Sequence, residues 1–256
     1  MNASNHLVAL GTIVRREVSR IMRIWSQTLL PPAITMTLYF VVFGSLLGKN
    51  IKIHEHSYID YIVPGLIMMS VIQNAYGNIS SSFFGAKFGR YVEEMLVSPM
   101  PSWVILTGYV AGAVVRGLIV GAIVLGLSYF FTHTRIAHPF ATLAAVLLAA
   151  VVFALAGFVN AVYAKKFDDV AIVPTFVLTP LTYLGGVFYS VEMLPQPWHT
   201  VSMANPILYM VNAFRYGLLG TSDVNLWLAF GVMVAATVIL GAVAMRLLHR
   251  GVGLRA

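Results

Sequence analysis

Charge disappears from this chain for about twenty residues at a time, and that pattern restricts the fold more than any motif does. Thr28–Leu47, Tyr61–Phe84, Pro139–Ala164, Val170–Val191 and Leu226–Met245 contain no Asp, Glu, Lys or Arg, and Trp103–Phe131 is interrupted by Arg116 alone. A helix rises 1.5 Å per residue, so roughly 20 such residues cross a ~30 Å hydrocarbon layer. Backbone groups in lipid must find their hydrogen bonds inside the segment, which makes these stretches helices. The short alternating segments of a transmembrane barrel are absent. The expected fold class is therefore an all-α membrane protein, one domain over residues 1–256, with six transmembrane helices. Charged residues are 10% of the chain, where a soluble domain carries about 25%. A soluble globule with this composition would expose very large apolar patches. That excludes an ordinary cytosolic enzyme and a disordered chain. The absence of Cys excludes a disulfide scaffold, a thiolate nucleophile and a Cys-based metal site.

The net charge of +7 is not a nucleic-acid signal. Lys and Arg hold loops on the cytoplasmic side of a membrane. With six spans, one side holds Arg15, Arg16, Arg20, Arg23, Lys87, Arg90, Lys165, Lys166, Arg246, Arg250 and Arg255, together with both termini. The other holds Lys49, Lys52, Arg135 and Arg215. The asymmetry puts both termini in the cytoplasm. Met193–Phe214 is also uncharged, but Pro195, Pro197 and Pro206 break it. A seventh span would also export the C-terminal arginines. Residues 192–220 are thus expected to form a broken, re-entrant or surface-lying segment on the outer side.

Residues 1–25 have the wrong order for a signal peptide. Leu7, Leu10, Val14, Val18, Ile21 and Trp25 form one helical stripe, with Arg15, Arg16, Ser19, Arg20 and Arg23 opposite. An amphipathic helix lying in the cytoplasmic interface is expected. Residues 84–101 mix charge with apolar residues before two prolines, and Lys87, Arg90, Glu93 and Glu94 follow helical spacing. Such a helix can dock on a soluble partner or simply connect two spans.

Enzyme motifs are scarce. Gly44-Ser-Leu-Leu-Gly48-Lys49-Asn50 is one residue short of a phosphate loop and lacks its final Ser or Thr. His54 and His56 are too closely spaced to share a helix face. The outer-side His54, His56, His133, His138 and His199 are expected to be solvated loop residues rather than metal ligands. No carboxylate falls within a span, which argues against a proton-coupled carrier. Arg116 does fall within one. It lies between Gly108/Gly112 and Gly117/Gly121, pairs whose spacing lets helices approach closely, as intramolecular packing is expected to require. Its reading is either a structural arginine held by carbonyls or a pathway residue. Gln73, Asn74 and Asn78 in span two, and Thr175, Thr179, Thr182 and Tyr183 in span five, form polar stripes suited to helix contact or to a transport path.

The chain resembles the permease subunits of ABC-2 type exporters. The resemblance rests on Arg16-Glu17 with Arg20 and Arg23 before span one, on Pro31-Pro32, on Val63-Pro-Gly65 and on Glu93-Glu-Met-Leu-Val-Ser-Pro99. It continues through Pro174-Thr-Phe-Val-Leu-Thr-Pro-Leu-Thr-Tyr-Leu-Gly-Gly-Val-Phe-Tyr189, Leu194-Pro195 and Asn205-Pro206. It implies a non-enzymatic permease in a bacterial cytoplasmic (inner) membrane, exporting a drug, lipid or lipid-linked saccharide. It implies a homodimer in contact with membrane lipids and a separate ATPase subunit that carries ATP and Mg, with no cofactor in this chain. By the same likeness Lys87, Arg90, Glu93, Glu94, Lys165, Asp168 and Asp169 contact the ATPase. Spans two and five then line the path. A membrane-embedded lipid-modifying enzyme and a channel that works without ATP are the alternatives.

Overall fold

The computed structural model describes residues 3–47, 52–53, 56–132 and 136–253. Lys49, His54, Glu55, His133, Arg135 and Arg255, and part of the Gly44–Asn50 loop, lie outside them. The chain is an all-α membrane protein. Its helices are α1 (Ala3–Arg23), α2 (Trp25–Thr28), α3 (Leu30–Val41), α4 (Tyr58–Phe88), α5 (Tyr91–Val97) and α6 (Ser102–Ser128). They continue with α7 (Pro139–Tyr163), α8 (Phe167–Val173), α9 (Thr179–Tyr183), α10 (Trp198–Met203), α11 (Pro206–Leu219) and α12 (Leu226–Arg250). Strands β1 (Lys52–Ile53) and β2 (His56–Ser57) form a small antiparallel pair before α4.

Among the described residues, four helical stretches are long and apolar enough to cross a membrane: Trp25–Gly44, α6, α7 and α12. The sequence predicts two more, and the structure shows why they differ. Helix α4 has ample length at 31 residues, but Ser70, Asn74, Asn78 and Ser80 lie buried along it. It is the central helix, packed on α6, α7 and α11. Neighbouring protein solvates those polar groups, so α4 does not need the hydropathy of a lipid-facing helix. The predicted span Val170–Val191 is shorter than expected. Helical structure runs from Phe167 only to Tyr183, with a π segment at Pro174–Leu178. Pro180 has no N–H to offer the preceding turn. The Thr179 N–H instead bonds the Pro174 carbonyl five residues back, and the Thr179 hydroxyl donates to that same carbonyl at 2.9 Å. Turns follow, and Gly186 (φ +69°) reverses the chain.

The motif Val63-Pro64-Gly65 has a packing reason. A Cβ on Gly65 would stand 2.6 Å from the Val187 carbonyl oxygen, so only glycine lets the turn after α9 lie against α4. Helix α11 begins at Pro206, with the Asn205 side chain accepting the Ile207 N–H at 3.0 Å. It is buried against α7 and α12. The two GxxxG pairs are intramolecular seats: Gly108 and Gly112 receive Ile13 and Glu17 of α1, while Gly117 and Gly121 receive Val71 of α4.

Helix α1 departs from the simple amphipathic reading. Its face toward α6 carries Ile13, Glu17 and Ile21, all buried, while Leu7 and Trp25 of the predicted apolar stripe are exposed. Glu17 can sit on that face because Arg16, Arg20 and Ser82 supply donors to it, as described below.

Candidate functional site

Two of the predicted contact segments meet at one end of the bundle. Phe84 and Phe88 at the end of α4 stack on Phe167 at the start of α8, with ring centroids 5.0 Å apart in each case. Helix α5 follows Arg90, whose positive φ of 62° turns the chain sharply. Glu93 and Glu94 occupy the first turn of α5, where the helix dipole favours anions. Val92 is buried, while Tyr91 and Val97 are exposed, Val97 at 87%. Arg90, Glu94, Lys165, Lys166 and Asp168 are exposed and Glu93 half-buried.

Lys87 and Asp169 are engaged within the chain. The Lys87 ammonium donates to the carbonyls of Val162 (2.6 Å) and Ala164 (2.7 Å), tying α4 to the last turn of α7. Partial burial, and then the nearby Lys165, hold its pKa below the ordinary lysine value. The Asp169 carboxylate accepts the N–H groups of Lys165 (2.8 Å) and Lys166 (3.0 Å), capping α8. Those two amides lower its pKa. Lys87 is half-buried by these bonds, while the Asp169 cap lies at the surface.

A polar junction lies where α1, α2, α4 and α6 meet. The buried Glu17 carboxylate accepts Ser82 Oγ (2.7 Å), Arg20 Nη2 (3.1 Å) and Arg16 Nη2 (3.4 Å). Arg20 also donates to Asn78 Oδ1 (2.8 Å), and Arg16 to the Tyr109 hydroxyl (2.5 Å). Arg116 Nη2 donates to the Thr28 carbonyl at 3.4 Å. Thr28 lies in the first turn of the Trp25–Gly44 stretch. Arg116 stands midway along α6, and its guanidinium reaches the end of the neighbouring span because the first turns of α6 run beside α1.

The polar stripes are drawn inward in part. Asn78 and Thr182 are fully buried and Asn74 nearly so. Asn74 and Thr182 bond their own helices, through Ser70 O (3.0 Å) and Leu178 O (2.6 Å). Thr175 and Tyr183 are exposed; Gln73 and Thr179 are half-buried. Thr175 also lines a cleft of about 360 Å³ between α4 and α8, with Gly77, Ser81 and Ala171.

The second polar cluster is one that sequence reasoning missed. Arg215, expected on the outer side within the 192–220 segment, is fully buried in α11. Its guanidinium sits 4.0 Å from the Tyr61 ring centroid and donates to Gly186 O (2.6 Å) and Asn212 Oδ1 (3.2 Å). Asp223 Oδ2 lies 3.8 Å away and accepts the Tyr61 hydroxyl at 2.7 Å. The spacing of Asn212 and Arg215, one turn apart in an otherwise apolar segment, is the signal that could have found it. The cluster joins α4, α11 and the turns after α9, so that segment is fixed by a buried cation.

Among the described residues, no group of three His, Asp or Glu is placed to hold a metal ion. His138 stacks on Tyr216 at 4.5 Å.

Comparison with known proteins gives the family. The family model described as "ABC-2 type transporter" matches residues 8–219. The chain belongs to that family. It is 56% identical over 250 residues to the inner membrane transport permease YadH of Escherichia coli K12, covering 97% of each chain. It is 24% identical over 215 residues to nodulation protein J of Rhizobium leguminosarum bv. viciae, covering 83% of each. Against nodulation protein J of Rhizobium meliloti the identity is 21% over 215 residues, covering 83% of this chain and 82% of the other. As an ABC-2 family permease the chain has a transport role.

Proposed function

We propose that this chain is the transmembrane half of an ATP-driven exporter in a bacterial inner membrane, acting as a homodimer with two separate ATPase subunits. The observation that carries this reading is the exposed face formed by α5 and the 165–168 loop. Phe84, Phe88 and Phe167 hold it rigidly on the ends of α4, α7 and α8. ATP and Mg belong to the partner, because the near-miss at Gly44–Asn50 lacks the residues that hold a nucleotide. Nucleotide-driven closure of the ATPases would push on α5, and the aromatic contacts would pass that motion to α4 and α8 as a rigid-body shift.

In this reading six segments cross the bilayer: Trp25–Gly44, α4, α6, α7, the α8–α9 segment and α12. Both termini are cytoplasmic, and residues 192–220 form the outer re-entrant segment. The exposed apolar face of the α8–α9 segment, with Ile172, Phe176, Val177 and Tyr183, meets its copy across the dimer seam beside the cleft against α4. A seam that is apolar with scattered hydroxyls suits an amphipathic cargo such as a lipid, a lipid-linked saccharide or a hydrophobic drug.

The test is association. The tagged chain, extracted in mild detergent, is expected to retain an ATPase subunit in a nucleotide-dependent way. Glu93→Lys with Glu94→Lys should leave membrane insertion intact while abolishing stimulation of that ATPase. Hydrolysis of ATP by the chain alone, or normal stimulation in the double variant, refutes the assignment and leaves a channel or a membrane enzyme.

A further inference from the structure

The junction of α1, α2, α4 and α6 carries more positive charge than the protein neutralises. Arg16 and Arg20 share one carboxylate, Glu17, and a third guanidinium, Arg116, meets the junction at the Thr28 carbonyl. Both oxygens of Glu17 are already used by Arg16, Arg20 and Ser82. Arg116 bonds the Thr28 carbonyl, and the Thr28 hydroxyl lies 3.3 Å from the carbonyl of Ile21, the residue after Arg20. Three buried donors here, Arg20 Nε, Arg116 Nε and Asn78 Nδ2, find no acceptor among the described residues. Asn78 is fully buried, and its amide orientation is settled by Oδ1 accepting Arg20. An unmatched buried donor costs about 1–3 kcal/mol, and more when charged. Three in one place, beside unbalanced cations, mark a site that an anion completes.

Depth identifies the anion. The Arg116 guanidinium is level with Thr28, in the first turn of a membrane span. Trp25 and Met22, exposed beside it, mark the interfacial belt. Arg15 and Arg23 on the same helix are exposed. This is the layer in which lipid phosphates lie. Arg20 and Arg116 are partly exposed and open the junction to the surface, while Asn78 closes its floor.

We infer that the junction binds the phosphate of an anionic phospholipid from the leaflet in which α1 lies, with Arg20, Arg116 and Asn78 as donors. Guanidinium groups match phosphate oxygens in pairs, and the bound charge offsets the excess cations. The lipid thereby clamps α1 onto α4 and α6. This requires only that the chain sits in a membrane and is independent of the ATPase.

The experiment uses the purified full-length chain in detergent, with lipid adducts counted by native mass spectrometry. Dioleoyl-phosphatidylglycerol is titrated against dioleoyl-phosphatidylcholine. The anionic lipid is expected to bind about tenfold more tightly or better, as one charge-assisted contact warrants. Arg116→Gln should remove that preference, Arg116→Lys should keep most of it, and Arg250→Gln, remote at the end of α12, should leave it unchanged. Equal binding of the two lipids by the unaltered chain overturns the inference without any variant. So does full retention of the preference in Arg116→Gln. Displacement of the lipid by inorganic phosphate at equal concentration shows a free-anion site and overturns the lipid assignment.

Discussion

Replacing Glu17 by Gln keeps its shape and removes its charge. In the native chain the carboxylate accepts Arg20 at 3.1 Å, with side-chain exposures of 2% for Glu17 and 31% for Arg20. Breaking a fully buried pair costs roughly 3–5 kcal/mol, while exposed pairs contribute roughly 0.2–1 kcal/mol. Arg20 is partly open to solvent, which places the loss between those limits, at about 2 kcal/mol. For a chain of this size that corresponds to a Tm lower by about 4–8 °C. Thermal unfolding of the purified protein, followed by loss of the monodisperse peak in size-exclusion chromatography, measures it. Arg20→Gln and the double variant complete a cycle, and a coupling energy of about 1 kcal/mol is expected for a direct pair. A Tm within about 1 °C of the unaltered protein, together with additive single effects, would falsify the claim that Glu17 fastens α1 to the bundle.

Three further outcomes follow from the packing. Gly65→Ala places a methyl group against the Val187 backbone, which cannot rotate away; overpacking of this kind should cost about 1–3 kcal/mol, read as a lower Tm. Arg215→Lys keeps the charge but not the planar group over Tyr61 or the bond to Gly186 O; it should destabilise by about 2 kcal/mol and speed limited proteolysis after α9. Asp169→Asn keeps an acceptor for the Lys165 and Lys166 N–H groups but removes the charge that strengthens the cap on α8. Because the native pKa of Asp169 is depressed, its contribution is present above the unfolded carboxylate value and fades as pH falls through the native one. The variant should therefore lose stability at neutral pH and converge with the unaltered chain in acid, as pH-dependent melting would show.

The local and periodic features were legible in the sequence. Gaps between charges located the long helices, because a hydrocarbon layer tolerates only apolar stretches of that length. The prolines at 174 and 180 forecast irregularity without saying where the helix would stop. The stretch Glu93–Pro99 and its neighbours marked a short helix. The GxxxG pairs announced close packing, though not that one pair would seat a carboxylate-bearing helix.

What the sequence alone determined is that the chain lies in a membrane and is helical, because few charges and long apolar runs leave no other way to satisfy the backbone. What tertiary structure decided is where each polar group spends its charge. Lys87 and Asp169 were engaged at helix ends, Arg215 of the expected outer segment entered the core, and the Arg116 guanidinium reached the start of the first span. Those outcomes depend on which carbonyls and carboxylates arrive from segments tens of residues away, and no one-dimensional pattern encodes that meeting.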